Sequence, residues 1–307
     1  MDVYALFPAE MRFMNKEKLN EYHVTGSIHT LSVKSPGQVE IDPDVARCID
    51  AAYSSRTDRT TSIINPNKLI GDLFKYSEFE TAFESILAAA GIEDYNIMRA
   101  DMRFDSYDPD HYRRYAKLNR YLISLLAVQY SVENCYRTTN LFSQRQLSVA
   151  IKNKYFEIEN YDKAAESQGK DHAKSRLEER SKAWKDKDLK QEFTGSWFDR
   201  WDKALTDQNI ENVQKTYNDE LEKLYKEDKD AYPTRFRSLT DFLLQYQDCI
   251  FTRKQLIDLL GRFEEVQNPV TRAKNHKQKY GLEFFSKSDL KAAVAEIKRA
   301  TKEFYCT

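Results

Sequence analysis

The nine residues Ile97–Asp105, read IMRADMRFD, alternate strictly between apolar and charged side chains. In an extended chain successive side chains point to opposite faces. Met98, Ala100, Met102 and Phe104 therefore fall on one side and Arg99, Asp101, Arg103 and Asp105 on the other. The pattern predicts a strand with one face on a core. Its charged face reads either as a solvated surface of alternating ion pairs or as a polar site built on a sheet. Asp101 and Asp105 are four residues apart, ~13 Å at a rise of ~3.3 Å per residue, too far to share one ion. A divalent cation, which prefers oxygen ligands, would use one of them with a carboxylate from a neighbouring strand. The same face is equally suited to presenting arginines to phosphates.

The flanking sequence predicts the rest of an α+β fold. Thr25–Val33 and Thr60–Ile64 are rich in β-branched residues and read as strands. Tyr76–Ala90 reads as a helix, with Phe79, Phe83, Ile86 and Leu87 at helical spacing and Gly91 as its stop. Asp108-Pro109-Asp110 opens a long helix to about Val132, with Asp108 as N-cap and Leu118, Leu122, Leu125 and Leu126 facing inward. Leu147–Ile151 and Tyr155–Asp162 read as a hairpin turned at Lys152-Asn153-Lys154. The charged stretch from Lys163 to about Asp230 is predicted to be mostly helix, and Ala231-Tyr232-Pro233 a hinge. Helices follow at Ser238–Tyr246, Thr252–Phe263 and Ser286–Phe304, the last opened by a capping box, Ser286 to Asp289. The expected architecture is a central antiparallel sheet carrying the site and flanked by helices, with a helical basic C-terminal region. The expected division is 1–232 and 233–307.

Composition narrows the classes. With 41% hydrophobic and 32% charged residues the 307-residue chain is globular rather than disordered. No apolar run reaches membrane-spanning length, and the N-terminus lacks the basic start and apolar core of a signal peptide, so a cytoplasmic location is expected. The four cysteines are widely separated and no two histidines stand two or four residues apart, which excludes zinc ribbons and local His-x-His or HExxH metal motifs. Net charge is −1, yet residues 233–307 hold 14 Lys and Arg against 9 Asp and Glu. Within them Arg272, Lys274, Lys277 and Lys279 read as phosphate contacts of a helix-turn-helix or winged element that would give sequence-specific origin binding, or else as a charged loop between packed helices.

Two further stretches bear on chemistry. In Tyr155–Lys163 (YFEIENYDK), Tyr155, Glu157, Glu159 and Tyr161 share one face of a strand. A tyrosine beside carboxylates is a nucleophile candidate, but with an ordinary pKa near ~10 it needs a base, a cation or a metal to act at neutral pH. The chain has 19 tyrosines, and for any one of them packing is the ordinary role. Lys174–Arg180 would set Arg176, Glu178 and Arg180 on one face as a strand, whereas helix propensity favours a charged helical turn.

Taken in order, these motifs resemble the Rep_trans family, the single-tyrosine rolling-circle initiators of small plasmids and related relaxases. Ile64-Asn65-Pro66-Asn67-Lys68 resembles the family's strand ending in Asn-Pro-Asn-Lys, and Arg99–Asp105 its Arg-x-Asp-x-x-Phe-Asp strand. Tyr161-Asp162-Lys163 with Glu166 resembles its Tyr-Asn/Asp-Lys-x-x-Glu motif, and Arg176-Leu177-Glu178 the Arg-x-Glu strand that follows. The resemblance spans roughly residues 60–180. It implies that Tyr161 attacks a phosphodiester, leaving a 5′-phosphotyrosine and a free 3′-hydroxyl. It also implies Asp101, Asp105 and Glu178 as acidic ligands of Mg²⁺ or Mn²⁺, and Arg99, Arg103, Lys163 and Arg176 as phosphate contacts. Residues 174–180 would then be strand. Origin DNA, a homodimer and a host helicase are the implied partners. The chain departs from the family at Ile63, where members often carry Glu, so a metal site here would either be poorer or use Glu157 or Glu159 instead. Residues 182–230 match nothing in the family pattern. Three alternatives stand beside the nickase: a conjugative relaxase, a non-catalytic DNA-binding regulator on the same fold, and a helical interaction protein with merely solvated charges.

Overall fold

The computed structural model describes residues 22–71, 73, 75–106, 112–131, 149–166, 175–182, 188–231 and 238–306. Its centre is a seven-stranded sheet of β1 (Thr25–Pro36), β2 (Ile49–Ser54), β3 (Arg59–Ile64), β4 (Asn96–Ser106), β5 (Val149–Lys152), β6 (Phe156–Tyr161) and β7 (Ser175–Lys182). The strand order is β2-β3-β1-β4-β7-β6-β5. Every neighbouring pair is antiparallel. The helices are α1 (Asn67–Ile70), α2 (Tyr76–Ala89), α3 (Tyr112–Gln129), α4 (Lys163–Glu166), α5 (Leu189–Gln191), α6 (Trp197–Ala204), α7 (Asp207–Ala231), α8 (Leu239–Gln245), α9 (Arg253–Leu260), α10 (Pro269–Tyr280) and α11 (Lys287–Tyr305). The fold is α+β, with helices beside an antiparallel sheet and a helical C-terminal region, as the sequence predicts.

One face of the sheet is the hydrophobic core. Ile28, Leu31, Val33, Ala100, Met102, Phe104, Phe156, Ile158 and Leu177 are buried there. Helix α3 lies against β5, β6 and β7, and α11 against β1. The approach of α11 is close. A Cβ on Gly26 would stand 3.1 Å from the Ala300 backbone and 3.2 Å from the Phe104 ring, so a larger residue there would press α11 and Phe104 back by a few tenths of an ångström. The C-terminal helices thus share the core of the sheet.

Local sequence explains most elements. Phe79, Phe83, Ile86 and Leu87 form the buried stripe of α2, and Gly91 ends it with a positive φ of 63°. The Ser286–Asp289 capping box opens α11 in both of its hydrogen bonds. Asp108 and Pro109 lie outside the described residues, as do 232–237, where the hinge and the expected division fall. Most of the described residues between 163 and 230 are helix, as expected, and they are interrupted by β7, which pairs with both β4 and β6 where the resemblance implies a strand. Sheet pairing there overrides local helix propensity. After β7, the stretch from 188 to 231 packs behind the sheet. The indole N–H of Trp197 donates to Ser181 Oγ (2.8 Å) and that of Trp201 to Glu179 Oε1 (2.6 Å).

Candidate active site

The other face of the sheet is where structure and sequence diverge most. Three of the four charged side chains of β4 are not solvated: Asp101 is 1% exposed, Arg103 3% and Asp105 2%, while Arg99 keeps its edge in water. Register supplies the reason. Asp105 sits opposite Arg176 and Arg103 opposite Glu178 on β7, while Tyr161 sits opposite Arg176 from β6. Neighbouring strands therefore bring Tyr161, Arg176, Glu178, Asp105, Arg103, Asp101 and Arg99 onto one surface. Of the two readings of the alternation, a solvated face and a polar site, the structure has an ionic network that is buried at its centre and reaches water at Arg99 and Glu159.

The phenol of Tyr161, at the end of β6, donates to Glu178 Oε1 at 2.7 Å. Burial and the Glu178 carboxylate push the Tyr161 hydroxyl far above its ordinary pKa, against the pull of Arg176. Burial by itself would raise Glu178, yet His29, the charge of Arg180 and the tyrosine hydroxyl outweigh it and hold the carboxyl well below the usual range. The resting pair is thus a phenol donating to a carboxylate. Lys163, on the turn after the strand, pairs with Glu166 and lies 5.8 Å from the centre of the Tyr161 ring.

Arginine guanidinium groups fill the rest of the face. Arg176 grips Asp105 through two parallel N–H···O bonds of 2.6 and 2.8 Å. Arg99 donates Nε to Asp101 at 2.7 Å, and Thr30 Oγ1 donates to the same carboxylate at 2.6 Å. Arg103 Nε donates to Ser27 Oγ at 2.8 Å and lies 3.5 Å from Asp105. Arg180 bridges Glu178 (2.7 Å), Glu157 (2.6 Å) and Glu159 (3.0 Å).

These contacts decide how the three acidic residues could serve a metal. Asp101 and Asp105 are each engaged by a guanidinium, Arg99 on the first and Arg176 on the second. Glu157 and Glu159, the substitutes for the Glu missing at Ile63, are held by Arg180, and Ile63 itself is 45% exposed on β3. Among the described residues no group of three His, Cys, Asp or Glu is placed to hold an ion. As placed, the donors do not fit Mg²⁺ or Mn²⁺. The positive charge facing Tyr161 and Glu178 comes from Arg176 and Arg180.

One participant, His29, escapes the sequence reading, and Asn65 and Asn67 enter it only as a motif without a contact. His29 lies with Nδ1 3.2 Å from Glu178 Oε1, the oxygen that also accepts from Tyr161. Asn65 and Asn67, in the turn after β3, reach β1: Asn67 Nδ2 donates to the carbonyls of Ile28 (3.1 Å) and His29 (3.3 Å), and Asn65 Nδ2 lies 3.4 Å from His29 Nε2. Asn67 Oδ1 in turn accepts from Arg103 at 3.3 Å. A β-bulge sets His29 in place, and nothing in the local sequence announces one.

The basic C-terminal candidates stand on α10, a helix packed on α9, which removes the charged-loop alternative. Eight residues, 261–268, connect the two helices, longer than the three or four of a usual helix-turn-helix. Lys274 and Lys277 line a groove with Arg253. Arg272 donates to Thr240 Oγ1 at 3.0 Å, and Lys279 lies 5.0 Å from the Tyr280 ring centre. Burial, then Arg272 and Lys279, lower the pKa of His276 on the same helix, as a surplus of positive charge requires. No helix among the described residues is long and apolar enough to cross a membrane. Compared with protein families and with curated protein sequences, the chain matches none.

Proposed function

We propose that the protein is a DNA-nicking strand transferase of the rolling-circle initiator type, working in the cytoplasm, with Tyr161 as nucleophile. The observation that carries this is the placement of the Tyr161 hydroxyl, 2.7 Å from a buried carboxylate and opposite Arg176 on the same charged sheet face. Tyr161 Oη forms a bond to phosphorus while the bond from phosphorus to the 3′ oxygen breaks. The phenol proton passes to Glu178 Oε1 as the phosphorus bond forms, and Glu178 releases it through a water that protonates the departing 3′ oxygen, so that the carboxylate is restored and no proton is gained or lost. One phosphodiester replaces another, so the step is reversible and a second 3′-hydroxyl can reseal the strand. Charge that accumulates on the phosphoryl oxygens is met by arginines fixed in place before the reaction, the arrangement that makes electrostatic stabilisation effective. The basic helix α10 supplies sequence-independent attraction to the phosphate backbone, and a homodimer and a host helicase complete the proposed assembly.

The test is covalent capture. The protein is mixed with labelled single-stranded origin candidates with and without Mg²⁺ or Mn²⁺, denatured, and resolved beside Tyr161→Phe. An adduct that vanishes in Tyr161→Phe supports the proposal. An adduct that persists in that variant removes Tyr161 from the role. Tight binding to the origin strand with no adduct favours the regulator instead.

A further inference from the structure

The geometry around His29 points to a role that no motif in the sequence assigned. We propose that the bulge at His29, clamped by Asn65 and Asn67, is a positioning device that acts on Tyr161 through Glu178. It rests on the reading of Tyr161 as the nucleophile. β1 runs in register with β4 as far as Ile28 opposite Met102 and resumes with Thr30 opposite Asp101, leaving His29 as an extra residue. Such a bulge re-aims a side chain. Here it lets both His29 and Thr30 reach the charged face, where they contact Glu178 and Asp101.

The carboxylate of Glu178 is divided between two directions. Arg180 holds Oε2 by bonds of 2.7 and 3.2 Å, and Arg176 Nη1 stands 4.0 Å from Oε1. Left to Arg180, the nearer of the two guanidinium groups, the carboxylate has reason to turn from the phenol. His29 opposes that turn, because its Nδ1 stands 3.2 Å from Oε1, the oxygen to which Tyr161 donates. An amide donor from Asn65 beside Nε2 favours the tautomer that carries its proton on Nδ1, so His29 donates to Glu178. The backbone of the bulge is pinned in turn. Asn67 bonds the carbonyls of Ile28 and His29 and accepts from the Leu73 N–H at 3.1 Å. The Asn-Pro-Asn turn thus sets the bulge, the bulge sets His29, and His29 fixes the oxygen that receives the phenol proton. Misplacement of a reacting group by about 1 Å costs on the order of 100-fold in rate.

The experiment compares wild type, His29→Ala and His29→Asn, the last keeping an N–H near the position of Nδ1. Three quantities are read on full-length protein: the rate of covalent adduct formation, the affinity for the same single strand, and the ¹³Cζ shift of labelled Tyr161, identified by its absence in Tyr161→Phe. That shift reports the hydrogen bond its hydroxyl makes, whether or not the protein reacts. Expected are a ten- to hundred-fold slower rate in His29→Ala (about the scale of such misplacement), unchanged affinity, a displaced Tyr161 resonance, and recovery of rate and resonance in His29→Asn. A wild-type rate and resonance in His29→Ala overturn the proposal, as does an equal loss of rate in folded His29→Asn. If wild type itself forms no adduct, the nucleophile reading falls, and the resonance alone decides whether His29 positions Tyr161.

Discussion

The two faces of β4 are buried equally well by opposite chemistry. Ala100, Met102 and Phe104 are excluded from water by packing, and Asp101, Arg103 and Asp105 by each other and by Arg176. Apolar burial contributes stability in proportion to area. Buried ion pairs do not, because the desolvation of two charges consumes most of what their attraction returns, and well-packed apolar substitutes are often as stable or more so. A sheet needs one apolar face to fold; it does not need the second to be ionic. The difference teaches that the fold draws its stability mainly from the apolar face, and that the charged face is one that packing alone does not require.

Removing one partner from the ionic face should have the largest effect. Arg176→Ala leaves Asp105 buried without its bidentate partner, and a loss of about 3–5 kcal/mol is expected in denaturant titration. Phe104→Ala on the opposite face should lose a similar amount through cavity formation, about 3–5 kcal/mol. The comparison is sharpened by the double variant Arg176→Met/Asp105→Leu. It is expected to recover stability to near wild type, or above it, while adduct formation is lost. A double variant as unstable as Arg176→Ala would break the claim that this face is not needed for the fold.

Glu179, the neighbour of Glu178 on the other face, gives the next effect. Burial, opposed by the Trp201 hydrogen bond and by Arg200 and reinforced by Glu192, pushes its pKa up to about 8 from 4.5. A carboxyl whose folded pKa is raised binds its proton more tightly in the fold. Its contribution is therefore full below pH 4.5 and is lost as pH rises toward 8. Wild type should lose on the order of a few kcal/mol across that window from this group. Glu179→Gln should flatten the decline in a thermal melt series from about pH 5 to about pH 9, and identical slopes would remove Glu179 as its cause. Smaller still is the effect of the basic helix. Lys274→Ala with Lys277→Ala should weaken DNA binding and reduce the slope of log affinity against log salt by up to about 0.9 for each phosphate no longer neutralised. An unchanged slope would place the DNA elsewhere.

Much of the fold is legible where periodicity alone decides. The alternation in Ile97–Asp105 locates β4 and both of its faces, helical spacing locates α2, and a capping box locates the start of α11. Tyr161, Arg176 and Glu178 are legible as a set only through the resemblance, since local propensity in residues 174–180 favours helix and only pairing with β4 and β6 makes them strand. The burial of the charged face is not legible, because the partners of Asp105 and Arg103 arrive from β7 and β1, each more than 70 residues away. His29 escapes notice for the same reason, compounded by its bulge, since register between distant strands leaves no trace in a single sequence. Trp197 and Trp201 look like ordinary apolar residues in a charged stretch, and only their indole bonds to Ser181 and Glu179 show how that stretch docks.

The most direct measurement identifies the residue that carries DNA. The adduct formed with single-stranded origin DNA is digested with nuclease and trypsin, and the modified peptide is sequenced by mass spectrometry. The account predicts a nucleotide remnant on the peptide Tyr155–Lys163, attached to Tyr161. A remnant on Tyr155 of the same peptide, or on a tyrosine elsewhere in the chain, would contradict it.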